Sequence, residues 1–302
     1  MKDLTDALTA AGIEWKQNLP LAPLSSFRIG GCAALAVFPH HREECISALS
    51  LIRQAGLSPA VFGNGTNVVF PDEGMKGVLL FTTGCRSIRI DGKTIFAEAG
   101  ASLSRIAQLA REAGLSGAEF LSGIPGTLGG AVFMNAGAYG GSMKQICTFT
   151  ECFRSDTGIV SRICGKEQGF SERASVFMKC PGTVILGAEI RLTEDDRERI
   201  GARMTDFARR RRETQPLEFP SAGSVFKRPA GHFAGKLIED CGLKGMRVGG
   251  AEVSRKHAGF IINTGNATAA DVRALVVQIR DTVAEKTGIF LECEIRFPGQ
   301  EE

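Results

Sequence analysis

The chain has 302 residues, 43% of them hydrophobic and 23% charged, with a formal net charge of +3. That is the composition of an ordinary globular protein, long enough to bury more than one core, and so small a charge, with one Trp and one Tyr, leaves a nucleic-acid-binding role without its basic face or its aromatic platforms. No apolar run approaches the length of a bilayer span, the acid-bearing start Met1-Lys-Asp-Leu-Thr-Asp6 lacks the apolar stretch of a secretory signal, and nine scattered cysteines with no Cys-x-x-Cys read as reduced cytoplasmic thiols rather than a disulfide framework or a zinc site.

Residues 1–12 read as a short helix ending at Gly12, and Arg42 to Gly56 as a second, with Cys45, Ile46, Leu49 and Ile52 on its apolar side. Short strands are expected at Ala34–Phe38, Ala60–Phe62 and Val68–Phe70, then at Val78–Phe81, Ile88–Ile90 and Thr94–Ala97. Leu103, Ile106, Leu109, Ala110 and Ala113 have helical spacing, with Gly114 as the cap. Further strands are expected at Cys147–Phe153, Ile159–Ile163 and Val184–Leu192. Thr193-Glu-Asp-Asp196 resembles a capping box and predicts a helix to about Arg212, with Arg209-Arg-Arg-Arg212 as either its solvated basic end or a contributor to phosphate binding near a substrate. Gln215-Pro216 interrupts the pattern. A last helix starts at Thr268-Ala-Ala-Asp271, buries Val272, Leu275, Val276, Ile279 and Val283, and stops at Gly288. In the final strand, Leu291-Glu-Cys-Glu-Ile-Arg-Phe297, alternation sends Leu291, Cys293, Ile295 and Phe297 to a core and Glu292, Glu294 and Arg296 to the other face.

Two loops stand out. Ser122 to Gly141 is dense in glycine, yet Ile124, Leu128, Val132, Phe133 and Met134 are spaced through it, unlike a serine-rich linker. Glycine lets backbone N–H groups approach a ligand closely, so this segment reads as a packed loop around one. Gly63-Asn-Gly-Thr-Asn67 lies between apolar strand residues; its successive N–H groups suit phosphate oxygens, although an Asn-Gly hairpin turn fits the same letters. Neither loop is a Rossmann fingerprint, and Gly231-His-Phe-Ala-Gly-Lys236 is too short for a Walker loop.

These two loops, together with Ser25-Ser-Phe-Arg-Ile-Gly-Gly31, resemble the UDP-N-acetylenolpyruvoylglucosamine reductase family. The likeness continues through Ser221-Ala-Gly-Ser-Val-Phe-Lys-Arg-Pro229, Gly235-Lys-Leu-Ile-Glu239, Lys256-His-Ala-Gly-Phe-Ile-Ile-Asn263 and Leu291-Glu-Cys-Glu-Ile-Arg296, and so covers nearly the whole chain. It implies an α+β fold: a two-part FAD-binding domain of the vanillyl-alcohol-oxidase (PCMH) type, over residues 1–75 and 76–205, followed by an α+β substrate domain over 206–302. FAD would be held by Gly63, Asn64, Gly65, Thr66 and Asn67 of the first loop, and by Gly123, Ile124, Gly126, Thr127, Gly129, Gly130, Ala131, Asn135, Ala136 and Gly137 of the second.

The resemblance also implies the chemistry. NADPH would reduce FAD; the reduced flavin would then pass hydride to the enolpyruvyl ether of a UDP-linked sugar, a small-molecule substrate, with no metal and no obligate protein partner. Hydride addition leaves negative charge on the carbon next to the carboxylate, and that carbon must be protonated. Ser224 falls on the family's proton donor, Glu294 on its glutamate, and Arg173 on the arginine that would offset enolate charge. Glu172 stands where the family has tyrosine, and Cys293 where it often has proline. Lys227, Lys236 and Asn263 are candidate contacts to the substrate diphosphate or sugar. From the residues alone, Ser224 reads as a turn residue, Arg173 as a surface residue and Glu294 as part of a solvated strand face. Another FAD oxidoreductase using oxygen, or a non-catalytic flavin module, would keep the two loops while lacking or breaking the Arg, Ser and Glu set.

Overall fold

Apolar periodicity and caps account for most of the helices. The structure, a computed structural model, describes residues 1–299. It divides into two compact units: Met1–Gln17, Leu35–Asn64 and Gly77–Arg209 form one, and Asn18–Ala34, Gly65–Lys76 and the chain from Arg210 onward form the other.

Helices Lys2–Ala10 and Arg42–Gln54 bury Leu4, Leu8, Cys45, Leu49 and Ile52 against Leu35, Val37, Val78 and Leu80. The strands behind them lie in the order Glu14–Pro20, Cys32–Phe38, Met75–Phe81, Pro59–Phe62, the last two parallel with Phe62 opposite Phe81. A second sheet is antiparallel, in the order Ile159–Cys164, Cys147–Arg154, Thr183–Arg191, Thr94–Glu98, Ile88–Asp91. Helix Leu103–Glu112 covers it by packing Leu103, Ile106, Ala107 and Ala110 into a cluster with Ile95, Ala97, Ala188 and Ile190. Burying one apolar stripe per helix is the main source of stability here, at about 25 cal/mol per Å² removed from water.

In the other unit, helix Ala269–Thr287 buries Val272, Leu275, Val276, Ile279 and Val283 with Phe27, Ile29, Val225, Val253, Leu291 and Ile295. Thr268 and Asp271 form its capping box, and Gly288 ends it in the left-handed region at φ 72°. The antiparallel strands Arg247–Val248, Ala251–Val253 and Ile261–Asn263 complete the unit. A short helix, Ala234–Asp240, was not expected from the sequence.

Three expectations change. Thr193–Glu194 is not a helix start: it pairs antiparallel with Leu115–Ser116. The helix runs Arg197–Thr214, and its first turn is capped by Asp196, whose Oδ1 accepts from the N–H groups of Glu198 and Arg199 at 3.0 Å each. The expected strands Val68–Phe70 and Leu291–Phe297 are extended segments held by single bridges, Val68 to Arg296 and Cys293 to Phe226. The alternation read in the second nevertheless stands, with Leu291 and Ile295 buried and Glu292 and Arg296 exposed. The glycine-dense segment folds as two short helices, Glu119–Gly123 and Leu128–Phe133, then a turn pairing Gly137 with Ser142.

Candidate active site

The glycines of the two loops answer different demands. At Gly63 a Cβ would lie 2.2 Å from Thr127 Oγ1, so this position and the Thr127 segment pack backbone to side chain. Gly129 is packed: its N–H donates to the Ala99 carbonyl at 2.8 Å, and a Cβ would meet the Ala99 methyl at 3.0 Å. Gly130, one residue on, is exposed, and the nearest heavy atom to its Cβ position is Thr127 Oγ1 at 3.7 Å. Nothing in the fold demands glycine at that position.

Two observations bear on whether these loops fit FAD. Ser122 Oγ, at the head of the glycine segment, is buried and has no protein partner among the described residues; a buried hydroxyl is normally satisfied. In the first loop, the N–H groups of Asn64, Gly65 and Thr66 donate to no protein acceptor among the described residues. Donors of this kind suit an anionic group such as a pyrophosphate. Asn67 is spent differently: its Nδ2 donates to the Glu294 carbonyl at 3.2 Å, and its own carbonyl accepts from the Arg296 N–H at 3.0 Å.

Arg173 sits in a tight turn at φ 51°, a region that costs a non-glycine residue energy unless its surroundings hold it. Ser171 and Ala174 exchange backbone hydrogen bonds across the turn, at 3.0 and 3.3 Å. The turn is tied to the glycine segment by side chains. Asn135 Nδ2 donates to the Ser171 carbonyl at 2.7 Å, Ser175 Oγ donates to the Phe133 carbonyl at 2.7 Å, and Arg173 Nη2 donates to the Gly137 carbonyl at 3.5 Å. Asn135 Oδ1 accepts from the Lys144 N–H at 2.9 Å, so both ends of this buried amide are engaged. Glu172 is exposed beside it.

Ser224 and Glu294 lie on adjacent extended segments of one unit. Glu294 N–H donates to the Val225 carbonyl at 2.7 Å and Lys227 N–H to the Glu292 carbonyl at 2.8 Å, while Phe226 faces Cys293. Ser224 is exposed and bridges Phe260 on its other side. Its neighbour there, His257, rests edge-on against Phe260 with centroids 5.0 Å apart and accepts from the Gly259 N–H at its Nδ1. Burial pushes the His257 imidazole below its ordinary pKa.

The three expected substrate contacts differ in kind. Lys227 Nζ pairs with Glu292. Lys236 is exposed, and the Asp240 carboxylate 2.7 Å away raises its pKa further. Asn263 is buried: its Nδ2 donates to the Phe27 carbonyl at 3.1 Å, and its Oδ1 accepts from the Gly265 and Ala267 N–H groups. Sequence reasoning gave no role to Ser122 or Ser171, since a serine beside a glycine or in a polar turn carries no distinguishing signal; Ser175 matched the family pattern and Glu292 was placed on the polar strand face, both without a site role. Among the described residues no cluster of three or more His, Cys, Asp or Glu side chains could hold a metal, and no helix is long and apolar enough to cross a membrane.

A family profile described as FAD binding domain matches residues 33–163, the stretch that carries both loops, which makes this a flavin-type oxidoreductase scaffold with α+β architecture. A second profile, described as UDP-N-acetylenolpyruvoylglucosamine reductase, C-terminal domain, matches residues 215–298. Proteins of that name from Caldicellulosiruptor bescii and Syntrophomonas wolfei are each 47% identical to this chain, over 97% and 95% of its length and 93% and 95% of theirs. The crystal structure of UDP-N-acetylenolpyruvylglucosamine reductase from Thermus caldophilus superposes with a TM-score of 0.79 at 35% identity, covering 95% of this chain and 99% of that one. The chain therefore belongs to the UDP-N-acetylenolpyruvoylglucosamine reductase family.

Proposed function

We propose that this reductase works in the cytoplasm with NADPH as its electron donor, and that Ser224, Arg173 and Glu294 carry the chemistry on the enolpyruvyl group. FAD, when bound, supplies hydride to the terminal methylene carbon of the substrate. The N–H groups of Asn64, Gly65 and Thr66, the Ser122 hydroxyl and the bare backbone at Gly130 would hold and approach that group; their lack of protein partners or of obstructing atoms supports the assignment.

Ser224 donates its proton to the carbon beside the carboxylate, which the hydride step leaves as an enolate. A serine hydroxyl is a weak acid, so the charge must be balanced while the proton moves. Arg173 stabilises the enolate as a fixed cation that cannot lose its own proton. Glu294 acts with it, holding the enol form or orienting the donor. Lys227 and Lys236 are the contacts we assign to the substrate diphosphate, because each is a lysine whose ammonium can exchange a carboxylate partner for phosphate.

The observation that carries this reading is the match of residues 215–298 to the reductase C-terminal domain, since that stretch contains both an exposed Ser224 and the segment of Glu294 bonded to Val225 beside it. Its test is Ser224→Ala. The variant should remain yellow and be reduced by NADPH at the wild-type rate, while turnover with the enolpyruvyl nucleotide falls by about 10² to 10⁴, the range of a lost general acid. Near-normal turnover would remove Ser224 from the mechanism.

A further inference from the structure

We propose that Asn135 is a positioning residue for Arg173 rather than a contact to the cofactor; this rests on the role assigned to Arg173 above. The family likeness places Glu172 where a tyrosine is usual, which leaves open what fixes the neighbouring arginine. The structure answers with three bonds from side chains to main chain, all between the turn 171–175 and the segment 133–137. Two of them are short, Asn135 Nδ2 to the Ser171 carbonyl at 2.7 Å and Ser175 Oγ to the Phe133 carbonyl at 2.7 Å. Both donors belong to buried residues, Asn135 at 6% and Ser175 at 2% exposure, where a hydrogen bond is not readily exchanged for water. The third runs from Arg173 itself to the Gly137 carbonyl.

Asn135 is the central member. Its Nδ2 fixes the start of the turn and its Oδ1 is fixed by the Lys144 N–H at 2.9 Å, so the amide has one orientation. Each polar end already makes a bond within the protein, and the residue is buried. The residue also sits at φ 43°, where asparagine is one of the few side chains that rest easily. An arginine held at φ 51° on a four-residue turn would otherwise be free to relax and carry its guanidinium away from where charge develops. Misplacement by about 1 Å is enough to cost on the order of a hundredfold in rate.

Asn135→Asp isolates the effect. It keeps size, backbone preference and the acceptor for Lys144, and replaces the donor to Ser171 by an oxygen that repels it. The experiment is anaerobic stopped-flow on the holoenzyme, following flavin reduction by NADPH and then reoxidation by the enolpyruvyl nucleotide, in wild type, N135D, S175A, R173A and N135D/R173A. Reduction should be unchanged in N135D, while reoxidation slows by about tenfold to a hundredfold. S175A should show a smaller slowing of the same step, and N135D should add nothing once Arg173 is gone. Tryptic cleavage after Arg173 should also be faster in N135D holoenzyme, a readout that does not pass through turnover. Wild-type reoxidation in N135D, additive effects of N135D and R173A, or loss of flavin from N135D would each overturn the inference. If N135D does not fold, wild-type reoxidation and cleavage in S175A would overturn it equally. A wild-type flavin that the nucleotide cannot reoxidise is a different failure: it brings down the proposed function itself, before any variant is compared.

Discussion

Gly129 and Gly130 differ in what stands over them, though nothing in the sequence separates them. The first is pressed against Ala99; the second is exposed, and a Cβ there would meet only Thr127 Oγ1, at an unstrained 3.7 Å. Gly130→Ala should therefore stabilise the flavin-free protein, by up to about 1 kcal/mol, because alanine is the better helix residue. If a flavin passes over that backbone, the same methyl should weaken FAD binding by at least about tenfold, or about 1.4 kcal/mol. Thermal melts with and without FAD, and a fluorescence titration, read both effects; unchanged affinity would place the cofactor elsewhere. Asn263 makes the opposite case. Three internal hydrogen bonds engage its amide, so Asn263→Ala should lower stability by about 2–3 kcal/mol, as expected when buried groups lose their partners. A chemical denaturation curve measures it. That the loops carry backbone-exposing glycine was legible from composition. Which glycine is packed and which is exposed was not, because the answer lies in Ala99, thirty residues away in the sequence.

Periodicity works best for elements that bury one stripe on their own. Leu103–Glu112 and Ala269–Thr287 were legible for that reason, the second with both of its caps. It failed at Thr193, where the serviceable capping pattern is overruled by pairing with Leu115–Ser116. In Leu291–Phe297 the alternation holds but no continuous strand forms, because its hydrogen bonds are split between the 224–227 and 67–69 segments, neither visible as a partner in the local sequence. The cap of the Ala269–Thr287 helix is itself reinforced from far away, since Asp72 accepts from the Ala269 and Ala270 N–H groups at 2.8 and 3.1 Å. Two predictions follow at this scale. Thr268→Ala should cost about 1 kcal/mol of stability. Asp271 accepts from the Thr268 and Gly250 N–H groups, which hold its carboxyl below the ordinary aspartate value. Its contribution is then complete above about pH 4 and lost as the pH falls through its lower folded value. Asp271→Asn should make stability less steep in that acidic window, as followed by urea midpoints across it.

At the scale of the molecule, each compact unit is assembled from separated stretches of chain. Asn18–Ala34 and Gly65–Lys76 belong with the C-terminal part, and nothing in their composition marks them for it. Long-range placement of this kind comes from apolar residues such as Phe27, Ile29 and Val69 joining the same core as Val272 and Leu275. The family, by contrast, was legible early, because its motifs are spread in order along nearly all of the chain and need no knowledge of what they pack against. The proposed reaction carries electrons from NADPH through flavin to an enolpyruvyl nucleotide. The most direct measurement is the visible spectrum of the purified protein under anaerobic conditions, with NADPH added first and UDP-N-acetylenolpyruvoylglucosamine second. Bleaching on the first addition and rapid return of the oxidised spectrum on the second is the predicted result; a flavin that bleaches but recovers only when oxygen is admitted would contradict it.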